Sequence, residues 1–266
     1  MNMVSVVIPS RNEPYLSKTI KDILDKASGL IEVIAILDGY WPDKEDLIDD
    51  KRVHYIHFGS AVGMRGAINA GVSLAKGKYI MKSDAHCLFR NGFDQVLKED
   101  SGINTILIPR RHRLDPEKWE IIRDGRPPID RMFLSPDLHG RDWKEGNHEK
   151  DLLEETPSSQ GSCWFMEKEY YKFLEILDAD TYGTFFSEFQ EIGLKCWLSG
   201  GRILVDKGTF YAHWHKTKGR GYSLPREDQE KATKAVEKWK HGNAWHRQIY
   251  PLSWLFDKFD MPNRLR

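Results

Sequence analysis

The sequence predicts an α/β fold with a mostly parallel central sheet flanked by helices, a long irregular insertion and a C-terminal helical extension. Three observations predict it. Continuous β-branched runs of the kind buried on both sheet faces recur in the first half; segments of helical periodicity alternate with them; and the alternation stops near Arg110 and resumes only near Ser159.

The run "VSVVIP", residues 4–9, reads as the first strand and "IEVIAILD", 31–38, as the second. Between them Leu16, Ile20, Ile23 and Leu24 recur at helical spacing, with Pro14 near the entry and Gly29 past the end, so the three pieces form a β-α-β unit. "RVHYIHF" is a third strand, "MRGAINAGVSLAKG" a helix stopped at Gly77, "KYIMKSD" a fourth strand and "INTILIP", 103–109, a fifth. From 110 to 157 charges, prolines and isolated aromatics replace periodicity, the mark of an extended functional insertion with short elements. Order returns with "GSCWFMEKEYYKFLEIL". In "SEFQEIGLKCWLSGG" Phe189, Ile192, Cys196 and Trp197 can share a helix face; "RILVD" follows as a late strand. "EDQEKATKAVEKWKHGNAWHRQIY" reads as one charged surface helix anchored by a few aromatics. The expected organisation is a main unit over 1–222 and a basic helical extension, 223–266, packed on it.

With 40 basic and 40 acidic residues the chain carries no global pull toward nucleic acid or membrane. The balance is uneven, since Arg202 to Arg266 holds fourteen Lys/Arg against seven Asp/Glu. Cys87, Cys163 and Cys196 lack metal-finger spacing and lie in apolar neighbourhoods, which suits a reducing compartment. The start, "MNMVSVVIPSRNE", has no signal-peptide pattern, and no apolar run approaches the roughly 18 residues that span a bilayer. The expected location is the cytoplasm, with no membrane partner.

Ligands of open parallel sheets sit at the carboxyl ends of the strands. Ser10 to Glu13, Asp38, Asp84 and His86 end three of them. Side chains two apart in an extended segment share a face, so Asp84 and His86 can meet one metal ion. A carboxylate oxygen with an imidazole nitrogen suits Mn²⁺ and similar ions better than Ca²⁺. Alone, the pair is a weak signal.

Taken in order, "SVVIPSRNE", "ILD", "GMRGAINAGVSLAKGKYIMKSDAHC" and "SEFQEIGLKCWLSGG" resemble the GT-A (Rossmann-like) nucleotide-sugar glycosyltransferases of the family 2 type. "DAHC" is most similar to the polypeptide N-acetylgalactosaminyltransferase branch, where the usual Asp-x-Asp is Asp-x-His. The resemblance runs from about Val4 to Tyr222, leaving out much of 110–157.

It implies a metal-dependent enzyme that moves a hexose or N-acetylhexosamine from a UDP-sugar to a hydroxyl, with Mn²⁺ or Mg²⁺ held by Asp84, His86 and a later histidine. Counting twelve residues from Gly201 reaches His213, with His215 as competitor. It also implies a donor pocket lined by Pro9, Arg11, Glu13, Asp38 and Asp84, with Arg65 near the phosphates, Gly161 in the turn that closes over the sugar and Trp164 as a wall. Glu188 and Glu191 match the two Glu positions of a Glu-Asn-x-x-Glu motif, one of which contacts sugar or acceptor or serves as general base. Phe189 stands where that motif has Asn, and Phe185 with Phe186 where relatives have Trp and Gly, so the sugar is open. The nearest branch retains configuration while other relatives invert.

For the acceptor, a cytoplasmic setting points to a saccharide precursor, a metabolite or a hydroxymethylated pyrimidine in DNA. The last favours Lys216, Lys218, Arg220, Arg226, Lys231, Lys234, Lys238, Lys240 and Arg247 with Trp239 and Trp245 interleaved. The competing view of that stretch is a lid over the pyrophosphate followed by a solvated helix. A protein hydroxyl as acceptor, a non-catalytic nucleotide-sugar-binding module and a nucleotidyltransferase also stay open. The nucleotidyltransferase fits less well, because "SRNEP" stands where a basic Gly-rich loop is expected.

Overall fold

The computed structural model describes residues 2–144, 150–216, 219, 221–242 and 244–261. Strands β1 (Val4–Ser10), β2 (Ile31–Asp38), β3 (Val53–Phe58) and β4 (Tyr79–Ser83) form the parallel half of a ten-stranded sheet, in the order β4-β1-β2-β3. Helices α1 (Leu16–Lys26) and α2 (Gly63–Leu74) make the crossovers. β1, β2 and β4 are covered on both faces, which is why their sequences run apolar without alternation, whereas β3 is the half-exposed edge.

Alternate side chains feed two cores. Val7, Ile34, Ile36 and Ile80 pack toward α2 and the later helices; Val6, Ile8, Val33, Ala35 and Met81 pack toward α1 and α3 (Phe93–Glu99). α2 lies close on the sheet at Gly71, where a Cβ would come within 2.5 Å of Val7 Cγ1.

The other half of the sheet is mixed. β11 (Cys163–Glu167) inserts antiparallel between β4 and β6 (Thr105–Asp115), and β12 (Arg202–His213) runs parallel to β6 on its far side. β5 (Cys87–Phe89) pairs antiparallel with the end of β12. β6 continues six residues beyond the expected end at Pro109. Proline offers no N–H to the ladder, and β12 shifts register opposite it, between Asp206 and Phe210.

That bulge buries Asp206 beside Asp100. Burial first, and then the Asp100 charge, raise its carboxyl from the ordinary 3.8 to about 6. A raised acid favours the fold in its protonated form, so its contribution is present below 3.8 and is lost as pH rises through 6. The loss is on the order of 3 kcal/mol at 1.36 kcal/mol per pH unit. Urea midpoints at pH 4 and pH 7.5 are expected to converge in Asp206→Asn relative to the wild type; an unchanged difference would remove Asp206 as the cause.

The described part of the insertion is tied down by hydrogen bonds. Beyond the extension of β6 it holds β7 (Glu120–Ile121), β8 (Met132–Leu134), β9 (Gly140–Asp142) and β10 (Leu153–Glu155). Arg111 and Ile129 exchange backbone hydrogen bonds of 3.2 and 2.8 Å, and Asp130 accepts two from Arg110 at 2.8 and 2.7 Å. α4 (Lys168–Leu174), α5 (Ala179–Tyr182) and α6 (Glu188–Leu198) follow β11, and α6 is buried along nearly all its length.

The helix expected over 227–250 forms only in its first part, and the second C-terminal helix lies beyond that stretch. α7 (Arg226–Glu237) ends in a 3-10 turn, Lys238–His241, and a separate α8 (Leu252–Phe259) follows. Both pack on the main core: Trp239 donates to Tyr182 Oη at 2.8 Å, and Phe259 meets the Trp197 ring edge-on at 5.0 Å. Cys87, Cys163 and Cys196 are free and buried. Among the described residues no helix is long and apolar enough to cross a membrane.

Candidate active site

The carboxyl ends of β1, β2 and β4 open on a cavity of about 540 Å³. Its rim comes from distant parts of the chain for a topological reason. Because β11 runs antiparallel beside β4, with Cys163 opposite Ser83, the turn before β11 lies at the end of β4, where Asp84 N donates to Ser162 O at 2.8 Å. Because β5 pairs with the end of β12, Cys87 opposite His213, the chain brings His86 alongside His213.

Asp84, His86 and His213 therefore converge, their ligand atoms all within 4.8 Å of one another. His86 Nε2 is 3.1 Å from His213 Nε2; Asp84 Oδ2 is 3.2 Å from His213 Nε2 and 3.8 Å from His86 Nε2. Adjacent ligands about 2.1 Å from one ion, at right angles, stand about 3 Å apart, so this donor set fits a small divalent cation. Glu13 Oε2 lies 3.0 Å from His86 Nδ1. A carboxylate there accepts the Nδ1–H, which leaves a lone pair on Nε2 facing the site. The other Glu13 oxygen accepts from Lys216.

The electrostatics agree with that fit. Burial opposes the Asp84 charge, but Lys82, His213 and His86 hold its carboxyl well below the usual range. Burial lowers His213 to about 4 against the pull of Asp84, so its ring is neutral at neutral pH, the form that binds metal. Burial, then Arg111 and Arg113, lower His215, whose ring stands edge-on to His213 at 4.8 Å.

Pro9, Arg11, Glu13, Asp38, Gly161 and Glu188 also line the cavity. Asp38 accepts from Val62 N at 2.6 Å and Gly63 N at 3.0 Å, tying the end of β2 to the start of α2. Arg11 stacks on the Tyr222 ring at 4.3 Å. Glu188, in the first turn of α6, accepts from Trp164 Nε1 at 3.0 Å and is pushed up by burial against the opposing charge of Lys82. Gly161 faces it so closely that a Cβ would come within 2.1 Å of Glu188 Oε2.

Three expected site residues lie elsewhere. Arg65 and Glu191 are wholly buried outside the cavity and bond to each other; Glu191 also accepts from Lys195 Nζ at 2.8 Å and from Leu177 N at 3.1 Å. Arg65 donates to Phe186 O at 2.7 Å. The pair fastens α2, α6 and the Phe185–Ser187 rim instead of touching the cavity. Trp164 is likewise fully buried and reaches the site only through Glu188. Lys82 belongs to the site although sequence reasoning missed it. It is 1 % exposed and lies beneath the cavity floor with its ammonium on Asp84 Oδ1; Lys82, Asp84 and His86 follow one another at a spacing of two, which is the signal that could have found it.

The basic C-terminal stretch lacks its stacking platform. Trp239 is buried, and Trp245 donates to Glu175 at 3.1 Å and packs edge-on to Phe173. Lys218 and Arg220 fall outside the described residues.

The chain is 28% identical to a protein named "Putative polypeptide N-acetylgalactosaminyltransferase 13" of Drosophila melanogaster, over 99% of this chain and 50% of that one. It is 30% identical to the glycosyltransferase GlyG of Streptococcus pneumoniae over 38% of this chain and 37% of the relative, so it spans half or less of these two curated relatives. Among solved structures, GalNAc-T7 with UDP, GalNAc and Mn²⁺ superposes with a TM-score of 0.72 at 18% identity, over 99% of this chain and 55% of that one. S. aureus TarS 1-349 gives 0.56 at 14%, over 80% and 60%. These likenesses show the fold, the GT-A arrangement expected from the motifs. Residues 5–174 match the family described as Glycosyl transferase family 2, and the chain belongs to that family.

Proposed function

We propose that this protein is a metal-dependent glycosyltransferase that takes a UDP-sugar, with Mn²⁺ or Mg²⁺, and transfers the sugar to a hydroxyl group. The observation that carries the proposal is the convergence of Asp84 Oδ2, His86 Nε2 and His213 Nε2 at the cavity rim. A divalent ion bound there supplies Lewis-acid neutralisation of the charge that builds on the leaving diphosphate. The UDP, GalNAc and Mn²⁺ bound to GalNAc-T7 support the donor class.

The chain's own residues divide the remaining work. Glu13 keeps the His86 ring turned toward the site. Arg11 and Tyr222 stack where the first strand ends, beside Asp38, and form the nucleotide side of the cavity. Glu188 and Gly161 face each other across the sugar side, with the glycine leaving room for the carboxylate. There Glu188 can accept a hydrogen bond from a sugar or acceptor hydroxyl.

A hydroxymethylated pyrimidine in DNA is the acceptor to test first, on charge alone, because Trp239 and Trp245 are occupied within the fold. The experiment is mass spectrometry after incubation with a panel of UDP-sugars, Mn²⁺ and acceptors: hydroxymethylated DNA, oligosaccharides and Ser/Thr peptides. UDP release with a hexose or N-acetylhexosamine added to one acceptor class is expected. No turnover of any UDP-sugar would overturn the proposal, and addition only to peptide or saccharide would overturn the DNA arm.

A further inference from the structure

Lys82 is a costly residue for its position. It lies in β4 beside Ile80 and Met81, both fully buried, and is itself 1 % exposed. Removing an ammonium from water costs several kcal/mol unless the surroundings replace its hydration. Here they do. Its Nζ donates to Asp84 Oδ1 at 2.6 Å and Gly161 O at 2.5 Å and forms an ion pair with Glu188 Oε2 at 3.5 Å, so all three partners are negative or carbonyl oxygens.

Those acceptors come from the end of β4, the turn before β11 and the first turn of α6, and all three residues line the cavity above. Each carboxylate is thereby held from below. Lys82 engages Asp84 Oδ1 and leaves Oδ2 to the histidines, while Glu188 is fixed between Trp164 Nε1 at 3.0 Å and Lys82. A neutral side chain in the same space would leave the Asp84 and Glu188 carboxylates near each other without the ammonium that lies between them.

We infer that Lys82 is a positioning residue: it holds Glu188 at a set place relative to the metal ligand Asp84, and it acts on sugar transfer rather than on donor binding. This rests on the glycosyltransferase function proposed above. Lys82 reaches neither the nucleotide side of the cavity nor the two histidines, and it meets Asp84 at Oδ1, so its removal leaves the nucleotide contacts and the metal-facing Oδ2 available. What it removes is the cation that keeps Glu188 and Asp84 apart yet close.

The test compares the wild type, Lys82→Met, Glu188→Gln and the double variant. Two readouts are taken: the Kd for UDP with Mn²⁺ by calorimetry, and kcat for UDP release from the donor that the panel identifies. For Lys82→Met, Kd is expected within about fivefold of wild type and kcat lower by about 100-fold or more, the signature of an interaction that matters in the transition state. In the Glu188→Gln background the same change should cost less than about threefold further, because coupled residues are not additive.

A kcat within about threefold of wild type would overturn the inference. So would equal losses in binding and kcat that multiply fully in the double variant, which mark a scaffold role only. If Lys82→Met does not fold, Lys82→Gln, which keeps a donor for Gly161 O, carries the same expectations and the same overturning results. Wild-type protein that turns over no UDP-sugar would bring down the function proposed above and this inference with it; an indifferent Lys82 variant of an active enzyme brings down this inference alone.

Discussion

Replacing Asp84, His86 or His213 with alanine is expected to lower Mn²⁺-dependent UDP-sugar turnover by about 10³-fold or more while the protein stays folded. Metal stabilisation of a leaving group is worth several kcal/mol, and each 1.36 kcal/mol is tenfold in rate. The three residues supply the donors that converge within 4.8 Å, so the loss of any one leaves two. The variants should still differ. Asp84→Ala also removes the Lys82 partner at 2.6 Å, whereas His86→Ala leaves Glu13 its contact with Lys216. Thermal unfolding run beside the kinetics separates lost metal from lost fold. Turnover that persists at wild-type rate in EDTA, or in any of the three variants, would contradict the metal site.

The second large effect separates two glutamates three residues apart. Glu188→Gln is expected to keep the wild-type melting temperature and lose about 10²- to 10⁴-fold in turnover, the range for a positioned acid or base. Glu191→Ala is expected to do the reverse. It strands Arg65, fully buried and bonded to Glu191, and breaking such a pair costs about 3–5 kcal/mol. At about 2–4 °C per kcal/mol for a chain of this size, the melting temperature should fall by about 6–20 °C. Wild-type stability with lost turnover in Glu191→Ala would return that carboxylate to the reacting groups.

These glutamates also mark how far the sequence is legible. "VSVVIP" and "IEVIAILD" are readable as strands because burial on both faces demands unbroken apolar runs, and α1 because its apolar spacing is regular. β11 is not, because "CWFME" runs directly into α4 with no turn residue between them. Nor is the end of α7 at Glu237, since "KWKH" holds neither glycine nor proline to mark it. In the site, Asp84 and His86 are two apart in the sequence, but residues 85–86 form a bend between β4 and β5 instead of the extended segment expected, and the pairing of Cys87 with His213 sets the imidazole. His213 enters through family resemblance, because the pairing of β5 with β12 that brings it to His86 leaves no local trace.

Glu191 departs from its expected role for a physical reason. Helical spacing places it one turn from Glu188, yet only packing decides that α6 turns Glu188 to the cavity and Glu191 into the protein. Arg65 follows the same logic, since it is the buried partner of Glu191. Lys82 escapes notice in the sequence because a lysine closing an apolar strand reads as the first exposed residue. Its burial becomes intelligible only with Asp84, Gly161 and Glu188 around it.

The central claim is that Asp84, His86 and His213 hold the ion that binds the donor's diphosphate. Crystals grown with UDP and Mn²⁺ test it directly by anomalous scattering from manganese. The account predicts a single strong peak about 2.1–2.3 Å from Asp84 Oδ2, His86 Nε2 and His213 Nε2, in contact with the UDP phosphates. UDP bound in the cavity with no manganese peak among these three atoms, or with the peak on Glu188 or Glu13 instead, would contradict it.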